Sequence, residues 1–439
     1  MRRRSALLVV GIVMSASCTA TGAGTTRVSV GAPAQAFTPP PFYDVPAPLP
    51  AGRPGDLIKT EAVSVSGLHG TMQRIMYHSQ SIAGADTAVT GLIAVPSTPP
   101  PAGGFPVVTW AHGTTGIADM CAPSFGGADF VDFANRLLDA GYVVTATDYE
   151  GLGTPGRHPY IVGESEARGT LDIVRAARNL PDTHASDRYV VWGHSQGGHA
   201  AMFSLHIADA WAPELHLMGV VAGAPPSQLY LVYQALKDSP FRAYILMAAA
   251  GFNAAYGDTL APLDKVLTPT GLQALDTVDD GCADYVAQQT AGIPTEDMLK
   301  ADPSTVPEWD ALLNANDPGK FSAPRPVPLL MIQGGNDEQI PVVSTQILFD
   351  QQCAIGQTEQ RWIYPGQSHA GVIGPSFADM LTWIGNRFAA FPAPDPYQPV
   401  GQPDVETQQC PAAEGAAVPV SQPEPTPTPT EGNALPRTG

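Results

Sequence analysis

The residues of this chain best suited to nucleophilic chemistry lie in Val190-Val191-Trp192-Gly193-His194-Ser195-Gln196-Gly197-Gly198-His199, an apolar run that breaks into a glycine-flanked serine. The pattern reads as a buried strand, a tight turn and the first turn of a helix, with Ser195 strained and its hydroxyl exposed. Such a turn closes only if the residues two before and two after the serine are almost without side chains, and Gly193 and Gly197 meet that need. A serine hydroxyl is a weak nucleophile at neutral pH. It needs a base within hydrogen-bond reach, and the base needs a carboxylate that fixes its tautomer and stabilises the imidazolium. A serine on a strand-turn-helix elbow takes its acid and then its histidine from later in the chain. Nine of the ten histidines stand at or before His216, which leaves His369, in the glycine-containing run Tyr364 to Gly371. The acid is expected after the preceding strand, in Leu329 to Pro341, where Asp337 lies just past the strand end; Glu338 is the nearest alternative and Asp350 a more distant one. Acyl transfer also needs backbone N–H groups aimed at the oxyanion. Gln196, directly after the serine, is expected to supply one, and Thr114 in Ala111-His112-Gly113-Thr114-Thr115-Gly116 the other, with His112 bracing that loop.

These groups must be carried on a scaffold. Short continuous apolar runs at Phe105 to Trp110, Tyr142 to Thr147, Tyr189 to Trp192, Leu217 to Val221 and Pro328 to Ile332 are of the kind expected when both faces of a strand are covered. Between them, helical spacing runs over Phe130 to Ala140 and Glu166 to Leu180, and this alternation predicts a parallel sheet with right-handed crossovers. Upstream, Ala62 to Val65, Met72 to Tyr77 and Val89 to Val95 read as antiparallel strands at one side of it. From about Ser227 to Arg325 there is no strand pattern, only helix-compatible pieces such as Leu229 to Leu236, Phe241 to Phe252 and Val306 to Leu313. The segment starts just after one strand and ends just before the next. A helical insertion over the carboxyl ends of the strands (227–325) therefore fits better than a separate domain. Asp148 to Gly153 is expected at the pocket rim, the helix Phe377 to Phe388 to close the sheet, and Pro392 to Cys410 to be irregular. His194 and His199 flank the serine without a nearby third ligand, and no dinucleotide or phosphate-loop glycine pattern occurs, so neither a metal nor a cofactor is expected.

At 439 residues and 44% apolar composition the chain can bury one large α/β core with an insertion. Its formal charge of −19, with no basic block beyond the first four positions, argues against nucleic acid as a partner. Met1-Arg2-Arg3-Arg4 followed by the apolar run Ala6 to Met14 has the form of a secretory signal (1–18), too short to be a transmembrane segment. Ser15-Ala16-Ser17-Cys18 fits both a lipobox, cut and acylated on Cys18, and ordinary cleavage nearby. Residues 19–56 read as a Pro/Thr/Ala-rich linker, with ordered structure expected from near Leu57 and a catalytic domain over 57–410. Cys121, Cys282, Cys353 and Cys410 favour two disulfides in an exported chain, and spacing alone leaves three connectivities open. Residues 411–439 read as a disordered tail, ending in Leu435-Pro436-Arg437-Thr438-Gly439. Those five residues match the LPxTG signal by which sortases attach proteins to Gram-positive walls, so cell-envelope attachment stands beside free secretion.

Ala111 to Gly116 followed by Cys121-Ala122-Pro123-Ser124, then Gly193 to Gly198, Gly334 to Pro341 and Ser368-His369, together resemble the secretory lipases related to yeast-type lipase A. The resemblance runs from roughly Phe42 to Cys410. It implies an α/β-hydrolase fold, a mostly parallel sheet with helices on both faces and a large helical lid, and an extracellular hydrolase of acylglycerol esters, with a small ester or a lipid interface as candidate partner. It also implies the pairs Cys121 with Cys282, tying the oxyanion side to the lid, and Cys353 with Cys410. The expected chemistry is ping-pong acyl transfer through Ser195, His369 and Asp337. Alternatives are the same three residues serving short-chain or phenolic esters, peptides or acyl transfer, and a non-catalytic surface or adhesion protein suggested by the Pro-rich ends.

Overall fold

In a computed structural model of the chain, residues 37–126, 130–389, 399 and 404–411 are described. The signal region with Cys18, the linker up to residue 36 and the tail with Leu435 to Gly439 lie outside them. The scaffold is a sheet of ten strands: β1 (Leu57–Ala62), β2 (Gly70–Gln80), β3 (Asp86–Pro96), β4 (Phe105–Ala111), β5 (Val143–Thr147), β6 (Ala185–His194), β7 (His216–Gly223), β8 (Leu329–Gly334), β9 (Glu359–Tyr364) and β10 (Glu406–Gln409). Their order is β1-β2-β3-β5-β4-β6-β7-β8-β9-β10. From β5 to β9 all neighbours are parallel, while β1, β2 and β3 at one edge and β10 at the other pair antiparallel.

The continuous apolar runs have a direct cause. Successive side chains of a strand point to opposite faces, and here each face has its own helices. Val107, Val191, Val220 and Met331 pack with Leu171 and Val174 of α2 (Gly163–Asn179), Met202 and Leu205 of α3 (Gln196–Trp211) and Leu348 of α11 (Val342–Ala354). Their chain neighbours Val108, Val190, Val221 and Leu330 pack on the other face with Leu137 of α1 (Val131–Leu138) and with Phe377 and Trp383 of α12 (Ile373–Phe388). This is the α/β architecture that the alternation of elements predicts.

Between β7 and β8 the chain leaves the sheet for α4 (Leu229–Leu236), α5 (Ala243–Leu260), α6 (Leu263–Val266), α7 (Pro269–Asp276), α8 (Ala283–Thr290), α9 (Thr295–Met298) and α10 (Pro307–Ala315). These helices share a core of their own, with Leu246, Met247, Phe252, Leu275 and Trp309 buried in it. The two ends of the insertion are clasped: the Asp317 carboxylate accepts the backbone N–H groups of Gln228 and Leu229, each at 3.0 Å. No helix among the described residues is long and apolar enough to cross a membrane.

Three details differ from the sequence expectation. Packing begins ahead of Leu57, because Phe42 and Tyr43 are buried against Met76 and Ala88. The first strand is Leu57–Ala62; Val63 and Val65, which suggested a strand over Ala62 to Val65, pack on the second core from outside it. The stretch expected to be irregular before Cys410 contains β10, which pairs with β9 although Glu-Thr-Gln-Gln has no apolar alternation.

Candidate active site

Ser195 sits between β6 and α3 with φ 60° and ψ −123°. A non-glycine residue adopts that region only where the surrounding structure compels it, and here the compulsion comes from close backbone packing. A methyl group on Gly193 would lie 2.1 Å from Gly197 O, and one on Gly197 would lie 1.9 Å from Ala111 O. Gly198, the next residue, would meet Gly223 O at 2.3 Å, and the Ser195 N–H donates to that same carbonyl at 2.8 Å. The elbow is thus wedged between the ends of β4 and β7, and three glycines are needed for it to fit.

His369 comes from the loop after β9 and Asp337 from the loop after β8. The two loops are stitched by Asn336 N–H to Gln367 O at 2.9 Å and Gly335 N–H to Tyr364 O at 2.9 Å, and Gly334 allows the approach, since a methyl there would lie 2.4 Å from Gln367 O. His369 Nδ1 lies 2.9 Å from Asp337 Oδ2 and 3.0 Å from Oδ1, with the aspartate side chain 0% exposed. Burial alone would raise the Asp337 carboxyl. The hydrogen bonds from His369 and from the N–H groups of Ile340 and Gln339 outweigh it and hold the group below its ordinary range. Glu338 accepts the backbone N–H of His369 at 3.0 Å and does not reach the ring nitrogen, and Asp350 is exposed on α11. With Nδ1 facing the carboxylate, His369 Nε2 is buried and without a hydrogen-bond partner among the described residues. The His369 ring lies 4.7 Å from that of His194, directly before the serine. Burial, and then the neighbouring His369, depress His194 to about 3, so it is neutral at physiological pH.

On the other side of the serine the loop after β4 closes in: a methyl on Gly113 would lie 3.3 Å from His194 O and 3.8 Å from Ser195 Cβ. Thr114 follows, its hydroxyl 2.7 Å from the Tyr160 hydroxyl. His112 is buried with Nδ1 2.7 Å from Gly113 O, which suits a brace. The Ala283 N–H donates to Thr115 O at 2.9 Å, and the disulfide Cys121–Cys282 holds the same loop region to the start of α8. The second disulfide, Cys353–Cys410, joins the end of α11 to the residue after β10. Both pairings are those that the resemblance implied.

Ser195 opens onto a cavity beneath the helical insertion. Its walls are apolar and come mainly from the insertion: Leu229, Val232, Leu236, Ala249 and Phe252 from α4 and α5 and Trp309 from α10, facing Tyr160, Ile161 and Ile340. Asp148 to Gly153, expected at the rim, do not line it. Asp148 is instead buried, accepting from Thr90 Oγ1 at 2.6 Å and from Ser124 N–H at 2.9 Å. Tyr160, Ile161 and Glu166 form part of the surroundings without having been singled out from the sequence. Glu166 accepts from Gln196 Nε2 at 2.9 Å and lies 2.9 Å from His199 Nδ1. A carboxylate in the first turn of a helix reads from sequence as a macrodipole partner, so nothing local announces it.

Comparison with known proteins agrees with this architecture. Lipase A of Moesziomyces aphidis is 26% identical over 257 residues, 54% of each chain, so the present chain spans about half of that relative's length. A Mycobacterium tuberculosis protein named as a probable inactive lipase is 24% identical over 378 residues, covering 81% of this chain and 83% of the other. Among solved structures, Candida antarctica lipase A superposes with a TM-score of 0.71 at 19% identity, over 80% of this chain and 86% of that one, a likeness of fold. The family model described as secretory lipase matches residues 128–395, which hold Ser195, Asp337, His369 and the whole helical insertion. With that match over more than half of its length, the chain belongs to the secretory lipase family.

Proposed function

We propose that this chain is an exported serine ester hydrolase of the triacylglycerol lipase and carboxylesterase kind, working through an acyl-enzyme. Ser195 Oγ attacks the ester carbonyl while His369 Nε2 takes its proton; the proton then passes to the leaving alkoxide oxygen as the ester bond breaks. Water, deprotonated by the same nitrogen, attacks the acyl-serine and releases the acid. Asp337 keeps the ring oriented with Nδ1–H toward it and stabilises the imidazolium. The N–H groups of Gln196 and Thr114 receive the negative charge on the carbonyl oxygen. The observation that carries the reading is the His369 ring, held by a carboxylate with Nε2 buried and without a partner among the described residues, and packed on His194, which directly precedes a strained serine that opens on an apolar cavity. The apolar lining of this cavity suits an acyl chain, and the helical insertion then acts as a lid over it. Two disulfides and the secretory signal pattern support an extracellular or envelope-attached location.

Because a relative is named as probably inactive, activity has to be measured on this chain. Ser195→Ala is expected to lower turnover of a p-nitrophenyl acyl ester by roughly 10⁴-fold or more while circular dichroism stays that of the wild type. Turnover retained in a folded Ser195→Ala protein refutes the assignment. A profile over acyl lengths, with and without an emulsified interface, then separates long-chain acylglycerols from short-chain or phenolic esters.

A further inference from the structure

Glu166 lies in the first turn of α2 and is fully buried, yet three groups, one from the loop before α2 and two from the first turn of α3, converge on it. Its Oε1 accepts the Ile161 N–H at 3.0 Å and Gln196 Nε2 at 2.9 Å, and its Oε2 lies 2.9 Å from His199 Nδ1. His199 Nε2 continues to Asn316 O at 2.7 Å, beside the Asp317 clasp. The orientation of the Gln196 amide follows from its surroundings. His158 Nδ1 donates to Glu150 O at 2.8 Å, so Nε2 of that neutral ring is an acceptor, and it lies 2.8 Å from Gln196 Nε2. Both amide hydrogens are thereby used, and turning the amide over would set its oxygen against the Glu166 carboxylate. Ile161, the other partner of Oε1, has φ 60°, a costly conformation for a β-branched residue, and it lines the cavity next to Tyr160.

We propose that Glu166 is a positioning residue for acyl transfer: one carboxylate fixes both the residue that carries an oxyanion N–H and the wall that faces the acyl chain. The proposal rests on the reading of Ser195 and Gln196 given above. Gln196 is the first residue of α3, where a backbone N–H has no partner within the helix. Its side chain, anchored to Glu166 and His158, holds the peptide that bears that N–H. Oxyanion donors act by being in place before charge develops, so a loosened Gln196 costs turnover more than substrate binding.

The test compares Gln196→Ala, Glu166→Ala and Glu166→Gln, with Ser195→Ala as control, on a p-nitrophenyl ester and on a tetrahedral mimic, an alkyl boronic acid. Gln196→Ala keeps the backbone N–H and loses only the anchor. Its kcat is expected to fall about 10- to 100-fold with KM within about twofold, and boronate affinity to fall in step with kcat/KM. Glu166→Gln is expected to stay within about fivefold of wild type, since its carbonyl can keep the Ile161 and Gln196 donors while its amide donates to His199 Nδ1. Glu166→Ala, which loses all three bonds, is expected to fall at least as far as Gln196→Ala; where it fails to fold, the other two variants carry the test. A Gln196→Ala enzyme within about twofold of wild type in kcat overturns the proposal, and so does a loss that appears in KM alone or a Glu166→Gln enzyme as impaired as Gln196→Ala. In those cases the assignment of Ser195 stands. A Ser195→Ala protein that still hydrolyses the ester removes that assignment and the proposal with it.

Discussion

At Ser195 the backbone is held in a region that favours glycine, and the residues that permit it are defined by contact. Gly197 is the tightest of them, with the Ala111 carbonyl oxygen 1.9 Å and carbon 2.6 Å from the position a Cβ would take. Both atoms belong to β4, inside the sheet, and cannot swing aside as a side chain would. Gly197→Ala is therefore expected to cost roughly 1–3 kcal/mol or more in chemical denaturation. It should also depress ester turnover beyond what the stability loss explains, because relief moves the elbow; a variant with wild-type stability and turnover contradicts the packing account. Ser195, His369 and Asp337 could be singled out as candidates in the sequence because chain order leaves one late histidine and places Asp337, with Glu338 beside it, just past a strand end. Thr114 could be proposed for the same kind of reason, as the residue after His-Gly at the end of an apolar run. Glu166 was not, nor Ile161 with its positive φ, since both depend on how the segment before α2 meets the first turn of α3.

Among the elements, the buried parallel strands were legible because each is apolar on both faces, and α1 and α2 because their apolar residues recur at helical spacing. β10 was not. Its four residues are mostly exposed, and their place is set by pairing with β9 and by the bond from Cys410 to Cys353. That bond closes a separation of 57 residues, which in the chain-entropy view is worth about 4 kcal/mol. The double variant Cys353→Ser with Cys410→Ser is expected to melt lower and to lose amide-exchange protection first along β10. Ester hydrolysis at low temperature should persist, because among the described residues no hydrogen bond links Ser195, Asp337 or His369 to β10. Equal protection along β10 in both proteins counts against the disulfide as what holds the strand.

For the molecule as a whole, acid is a stress the buried histidines transmit. Burial, opposed by Glu166 and by the hydrogen bond to Glu150 O, lowers His158 to about 4, against about 6.5 in an unfolded chain. Between those values the unfolded chain binds a proton that the folded one refuses. The contribution of this histidine is thus complete above pH ~6.5 and is lost as pH falls towards 4, on the order of 3 kcal/mol at most. His158→Gln is expected to be less stable than wild type at pH 8 and to lose less stability between pH 7 and pH 4 in urea denaturation. Parallel stability curves for the two proteins rule out His158 as the source. The Asp317 clasp has a different kind of consequence. With both ends of the helical insertion fixed side by side on the sheet, the hundred or so residues between them form a cassette whose length and sequence can drift while the strands keep their spacing. Evolution can re-tailor the apolar cavity there as a replaceable part, and a chimera that exchanges the insertion at this clasp inherits the sheet with Ser195, Asp337 and His369 unaltered.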